Sequence, residues 1–221
     1  MKKGAESYMD KNIQWYNEEK IKRTKAALEK RNYQVYVVES PEGAVEKLKE
    51  IMDKGSTVSV GGSVTLSESG VMELLKNGDY NFLDRYKEGL TGEDIEKLYR
   101  ECFFADYYIT SSNAITQDGE LVNLDGTGNR VAAMIFGPKK VVVVAGINKI
   151  VKNLDDAYER VRNQAAPINC KRLNRKTPCT EVGRCMDCAS PDRICNHYVV
   201  TYRQKAPGRG IVILIKQQMG Y

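Results

Sequence analysis

Apolar residues recur along this chain in two rhythms, and their alternation predicts the architecture. Over residues 6–31, Ile13, Tyr16, Ile21, Ala27 and Leu28 stand among lysines and glutamates at the spacing of one long amphipathic helix. "YQVYVVE" (33–39) then reads as a β-branched strand. "SPEGAVEKLKEIMDKG" reads as a helix capped by Ser40, with Pro41 in its first turn and Gly55 as its stop. A strand at "TVSV" (57–60) runs through "GGSVTLSESG" into an apolar-periodic helix around Val71, Met72, Leu74 and Leu75. Another helix follows from a Thr91 cap to Phe103, then a strand at "DYYIT" (106–110). "ITQDGELVNL" carries the Asp118-Gly119 turn of a hairpin. "DGTGNRVAAMIFG" passes from a glycine loop into a short helix, and "KKVVVVAG" is the most hydrophobic strand, expected at the centre of a sheet covered on both faces. A helix closed by Pro167 comes next, and "YVVTYRQKAPGRGIVILIKQQ" reads as two strands joined by a turn at Pro207-Gly208.

Strands and helices alternating in this way predict an α/β fold with a mostly parallel sheet flanked by helices. The expected organisation is an N-terminal helix over residues 1–32 and one α/β domain over 33–221. A cysteine-rich loop insertion at about 166–197 lies inside that domain, because β structure follows it, as C-terminal strands, as well as precedes it. The longest apolar runs are too short to span a bilayer, and the lysine-led N-terminus has no apolar stretch behind it, so the expected location is the cytoplasm. A net charge of +5 with acids and bases interspersed describes a solvated surface, and nucleic acid is not an expected partner. One region departs from that mixture. Between residues 169 and 193, Lys171, Arg172, Arg175, Lys176, Arg184 and Arg193 face only Glu181, Asp187 and Asp192.

The same region holds Cys170-x8-Cys179-x5-Cys185-x2-Cys188-x6-Cys195, with the chain's one histidine at His197. Disulfides do not persist in a reducing compartment, and unligated thiols belong in apolar elements, as Cys102 does. These cysteines lie among Pro, Gly, Asp and Arg instead, which points to a metal held by Cys179, Cys185, Cys188 and Cys195. A Cys-x2-Cys pair and two further thiolates suit either a [4Fe–4S] cluster or zinc, and the irregular arms favour the larger cluster. Whether Cys170 or His197 joins the set is left open.

Two glycine loops are candidate ligand sites. Gly61, Gly62, Ser63 and Thr65 follow a strand and precede a helix, where backbone N–H groups either cradle an anion or simply cap the turn. Glu68 either satisfies the helix dipole or faces the ligand. In "NLDGTGNR", Gly126 and Gly128 lack the third glycine of a dinucleotide fingerprint, so Asp125 and Asn129 either bind a hydroxyl or carboxylate or brace the turn. Ser112 and Asn113, after the strand at 106–110, belong to the same set. With one histidine in the chain, acid–base chemistry falls to Glu68, Asp118, Asp125 or Lys149, and Lys149 is either an anion partner or an ordinary surface lysine.

"GGSVTLSESG", "SSNAITQDGELVNLDGTGNRVAAMIFGPKKVVVVAGINKIV" and "PCTEVGRCMDCASPDRICN" together resemble the LUD-domain family, which includes the lactate-utilisation C subunits, over most of the chain from about Lys30. The resemblance implies a fold similar to the NagB/ribose-5-phosphate isomerase/CoA-transferase group, with ligands at the carboxyl ends of parallel strands. It further implies a small anionic metabolite as ligand, a part in oxidising a 2-hydroxy acid (L-lactate to pyruvate) and iron–sulfur partner subunits. The cysteine spacing here differs from the ferredoxin-like tail of the lactate-utilisation B subunit. A stand-alone isomerase or transferase of the same fold, its loop clasped by zinc, is the alternative reading, and a zinc-stapled nucleic-acid binder is a third.

Overall fold

The computed structural model describes residues 10–221, so residues 6–9 of the expected first helix lie outside the described residues. Helix α1 (Lys11–Lys30) is capped by the Asp10 carboxylate, which accepts from the Asn12 and Ile13 amides. β1 (Tyr33–Val38) leads to α2 (Pro41–Ile51), where Ser40 and Pro41 take the expected cap and first-turn positions. β2 (Thr57–Val60) is followed by α3 (Val64–Glu68), α4 (Val71–Asn77) and a short edge strand, β3 (Asn81–Leu83), too brief to stand out in the apolar pattern. α5 (Gly92–Glu101) starts from a full capping box between Thr91 and Asp94. β4 (Tyr107–Thr110), the hairpin of β5 (Ala114–Thr116) and β6 (Leu121–Asp125), α6 (Asn129–Ile135) and β7 (Lys140–Gly146) follow. β8 (Ile150–Val151) precedes α7 (Leu154–Arg160) and α8 (Ala166–Arg172), and α9 (Cys179–Val182) lies in the cysteine segment ahead of β9 (His197–Thr201) and β10 (Gly210–Ile215).

Six strands form a wholly parallel sheet in the order β1-β10-β7-β4-β2-β3. Alternation along each strand sends side chains into two cores. Val141, Val143 and Ala145 of β7, with Val212 and Leu214 of β10, pack under Ile21 and Leu28 of α1. Val142 and Val144, with Ile211, Ile213 and Ile215, pack against Ala44, Leu48, Leu66, Val71 and Leu75. Burial on both faces explains the unbroken apolar runs of these strands. A second sheet, β8-β5-β6-β9, stands beside the first.

Three expectations are corrected. Ile13 and Tyr16 do not face inward but are 54% and 53% exposed, because the sheet reaches only the later turns of α1, where Ile21, Thr24 and Leu28 are buried. Pro167 does not close its helix. A π-turn over Val161–Ala165 inserts one extra residue, the Ala166 amide bonds to the Val161 carbonyl, and α8 continues with Pro167 in its first turn, where a missing N–H is harmless. β9 and β10 do not form a hairpin. β9 pairs antiparallel with β6 in the small sheet, while β10 crosses into the main sheet between β1 and β7. The strong apolar run "IVILI" demands cover on both faces, which a surface hairpin cannot give.

The last strand is therefore core rather than trim. Ile213→Ala is expected to cost about 2–5 kcal/mol in urea denaturation, and a loss under ~1 kcal/mol would show that β10 is not a central strand.

Candidate functional site

The carboxyl ends of the parallel strands converge on one cleft of about 260 Å³. β2 delivers Gly62 and Ser63, β3 delivers Arg85, β4 delivers Ser111, Ser112 and Asn113, the turn after β7 delivers Lys149, and Tyr221 arrives from the segment after β10. Asp125, Gly126, Asn129 and Arg130 enter from the β6–α6 loop, and Asn169, Arg172 and Arg175 enter from α8 and its exit. This is where open α/β sheets bind ligands. Among the described residues five cationic side chains, Arg85, Arg130, Lys149, Arg172 and Arg175, line the cleft with one carboxylate, Asp125; Arg130 pairs with that carboxylate and Arg175 with Asp192 outside the lining, which leaves Arg85, Lys149 and Arg172 without an ion pair.

Arg130 is the floor of the cleft. Its five N–H groups reach Asp125 Oδ2 (3.1 Å), Asn123 Oδ1 (2.7 Å), Asn113 Oδ1 (3.0 Å) and the carbonyls of Ser111 (3.2 Å) and Leu124 (2.9 Å). Gly61 makes room for it, since a Cβ there would stand 2.9 Å from the Arg130 stem and 2.5 Å from Thr110 Oγ1. Asp125 accepts the Gly128 amide on its other oxygen (2.8 Å), and Gly128 has φ of +89°, so the second glycine loop is a closed turn. Both oxygens of Asp125 are thus engaged, as are the Ser112 hydroxyl, by the Ala114 and Val122 carbonyls, and the Asn113 carboxamide.

Of the residues singled out in the sequence, Gly62, Ser63, Ser112, Asn113, Asp125, Gly126, Asn129 and Lys149 line the cleft. Gly61, Thr65, Glu68 and Gly128 do not. Thr65 is buried and donates to the Met219 carbonyl (3.3 Å), and Glu68 accepts the Gly220 amide (2.6 Å), so both tie down the C-terminal segment. Asp118 sits in the hairpin turn, with its carbonyl bonded by Arg31. Sequence reasoning missed Arg85 and Arg130 and saw Arg172 and Arg175 only as part of the basic excess beside the cysteines, not as cleft residues. Arg130 did carry a signal, as the one charge entering the otherwise apolar "RVAAMIF".

Lys149 is not a surface lysine but only 4% exposed. Its ammonium meets Ser111 Oγ at 3.1 Å, and among the described residues no carboxylate pairs with it. Burial, then Arg160 and Arg130 nearby, hold its pKa down to about 7, while Glu68 opposes weakly. Arg160 is also buried. Its Nε donates to the Asn148 carbonyl (3.1 Å), and its two terminal nitrogens have no hydrogen-bond partner. Arg85 lies over Gly62, bonded only to the Tyr99 (3.2 Å) and Tyr86 (2.8 Å) hydroxyls, with its Nε buried and unpartnered.

A second cavity, of about 80 Å³, lies behind the cleft wall and is lined by five cysteines: Cys170, Cys179, Cys185, Cys188 and Cys195. Arg162 donates to Cys185 Sγ (3.2 Å), the Thr177 hydroxyl meets Cys179 Sγ (3.2 Å), and Arg193 binds the carbonyls of Cys188 (2.7 Å) and Cys195 (2.8 Å). Burial pushes the Cys170 thiol up to about 11, the Thr177 hydroxyl draws it down, and Cys179 and Cys195 push it up further. His197 is exposed on β9 and does not line this cavity. Among the described residues no three His, Cys, Asp or Glu side chains converge closely enough to hold one metal ion. Leu124 and Ala166 line both cavities. The Asn196 amide and carboxamide bond the carbonyls of Asp125 (3.0 Å) and Gly126 (3.0 Å), which joins the cysteine segment to the cleft's glycine loop.

The LUD domain model matches residues 21–215. Among solved structures, a DUF162 family protein from Deinococcus radiodurans aligns over 90% of this chain and 98% of its own at 13% identity, with a TM-score of 0.51. Ribose 5-phosphate isomerase from Plasmodium falciparum aligns over 51% of this chain and 52% of its own at 16% identity (TM-score 0.33). The malonate decarboxylase alpha subunit from Acinetobacter baumannii aligns over 94% of this chain and 39% of its own at 10% identity (TM-score 0.43). No curated protein sequence matches. Among the described residues no helix is long and apolar enough to cross a membrane.

The buried lysine gives a testable pH signature. The unfolded chain keeps the Lys149 proton up to about 10.5, the folded chain only up to about 7, so between these values the unfolded state binds more protons and stability rises with pH. Lys149→Met is therefore expected to be more stable than the parent near pH 7, by an amount on the order of a few kcal/mol. The advantage shrinks as the pH rises toward the lysine's ordinary value. A pH-independent difference in denaturation midpoints would refute the buried cation.

Proposed function

We propose, for a chain that belongs to the LUD domain family, that the polar cleft binds a small anionic metabolite of the 2-hydroxy or 2-oxo acid class, in or beside the oxidation of such an acid. The observation that carries the reading is the surplus of positive charge on the cleft wall. Buried cations without counter-charges are costly unless something supplies the charge, and an anion entering between Arg85 and Lys149 supplies it. Arg85 offers a planar guanidinium with no carboxylate of its own and suits a carboxylate group. About 260 Å³ suits an acid of a few carbons better than a whole coenzyme A ester, which favours this reading over the stand-alone transferase.

The donor chemistry of the second cavity fits a Cys-ligated metal centre, the part of the proposal that would carry electrons to partner subunits. Five thiols surround one cavity, two arginines donate to a sulfur and to the backbone of the segment, and the Arg193 Nε is buried and unpartnered. A single zinc ion with Zn–S bonds of about 2.3 Å needs sulfurs roughly 3.8 Å apart around one point. Five thiols lining one cavity supply enough ligands for either, and the irregular arms between the cysteines favour the larger iron–sulfur cluster. When bound, such a cluster supplies one-electron chemistry. The chain's own residues orient the acid, exclude water behind Leu124 and Ala166, and hold the proton balance at Lys149 and Ser111.

Two measurements test this. In titration calorimetry, L-lactate and pyruvate are expected to bind, the uncharged lactamide is not, and Arg85→Met weakens the acids by tenfold or more while leaving the melting temperature within a few degrees. Equal binding of lactamide, or much tighter binding of a sugar phosphate, would refute the acid reading. Chain purified without oxygen is expected to be brown, with about four irons and four sulfides per chain, and Cys185→Ser to lose the colour. About one zinc and no iron would replace the cluster with a structural clasp, and neither metal would refute the centre.

A further inference from the structure

Lys149 has more than a charge to offer. It ends the tight turn after β7, and its position is fixed on several sides. The preceding Asn148 carbonyl holds Arg160, and the Asn148 side chain binds the Gly220 carbonyl (3.0 Å) and the Met219 amide (2.9 Å). The Lys149 ammonium reaches the cleft from a nearly dry position, and among the described residues it has one hydrogen-bond partner, the Ser111 hydroxyl, and no carboxylate in an ion pair with it. A lysine meant only to attract anions gains from staying charged, and the fold does the opposite by placing it beside two guanidiniums.

From this geometry we infer that Lys149 is a nucleophilic amine that forms an imine with the C2 carbonyl of a 2-oxo acid whose carboxylate is held by the cleft's arginines. The inference rests on the anion-binding reading of the cleft and adds a covalent step to it. The groups facing Lys149 are Ser111, which accepts its hydrogen bond, and the charges of Arg130, Arg160 and Glu68, of which only Glu68 favours the ammonium. At neutral pH a substantial share of the amine is thus unprotonated, the state that attacks a carbonyl. The Nζ lone pair forms a C–N bond to C2 and gives a carbinolamine. The former carbonyl oxygen then leaves as water, carrying the two protons that began on nitrogen, and a C=N bond remains. Ser111 Oγ, 3.1 Å from Nζ, is placed to relay one of those protons. Hydrolysis reverses the sequence, so the step needs no oxidant or reductant. A 2-oxo acid is what oxidation of a 2-hydroxy acid yields, and an amine in the same cleft would retain that product or activate its C3 hydrogens.

The test uses the full chain with pyruvate and borohydride, followed by intact mass and peptide mapping, with calorimetry of pyruvate in parallel. The expected result is a saturable gain of one pyruvate, less one water and plus two hydrogens, per chain. It maps to Lys149, is suppressed by L-lactate and is absent in Lys149→Arg. Pyruvate binding in calorimetry without an adduct, or with adducts scattered over exposed lysines, overturns the imine and leaves the anion site standing. No pyruvate binding overturns both. Because mapping is done on the parent chain, failure of Lys149→Arg to fold does not affect the decision.

Discussion

The guanidinium of Arg130 is the constraint on which the site depends. Burying a guanidinium costs least when its donors find acceptors in good geometry, and for Arg130 all of them do, in two places. Ser111 and Asn113 belong to the loop after β4, and Asn123, Leu124 and Asp125 to the end of β6, where the chain turns into α6. One side chain therefore sets the distance between the main sheet and the small one. It also fixes the turn whose Asp125 and Gly126 carbonyls receive Asn196, and so determines where the cysteine segment lands. Gly61 follows from the same demand, because any side chain there would collide with the Arg130 stem.

Chain order reinforces this coupling. The cysteine segment lies between α8, which walls the cleft, and β10, which sits between β1 and β7 in the main sheet. The hydrophobic core is thus completed only by residues that follow the cysteines. Leu124 and Ala166 face both cavities, so the thiol cavity and the cleft share a wall. The π-turn ahead of Pro167 serves the same arrangement. It lets one helical run carry Ala165, Ala166 and Asn169 on the cleft side and Cys170 on the other, without a break at the proline.

The fold was largely legible in the sequence because its signals are local. Ser40-Pro41, the Thr91 capping box and the Asp118-Gly119 turn each act within a few residues, and the apolar runs of β7 and β10 state their burial outright. What was not legible depends on distance. The run at 211–215 states its burial but not its neighbours, so that β10 pairs with β1 and β7 while β9, a few residues earlier, pairs with β6 is not written locally. The cleft divides in the same way. Glycine loops announce themselves, but whether Thr65 and Glu68 face the ligand or the C-terminal segment is decided by Met219 and Gly220, more than 150 positions away along the chain. Arg85 was silent because a lone arginine on a loop reads as surface until a fold surrounds it, and the basic excess around Arg172 and Arg175 did not say which way those side chains face.

Electrostatics explains why such cations are buried rather than displayed. On an exposed surface, water and salt screen a guanidinium, and it discriminates little among anions. Behind Ser111 and beneath Arg130, Lys149 feels Arg160 with much less screening, so its proton is loosely held and its lone pair is available. The terminal nitrogens of Arg160, left without acceptors, keep that pressure in place. In the proposed reading, a carboxylate entering the cleft supplies the charge that these groups lack, and a short acid would both fit the volume and balance the charge without base-specific or sugar-specific contacts.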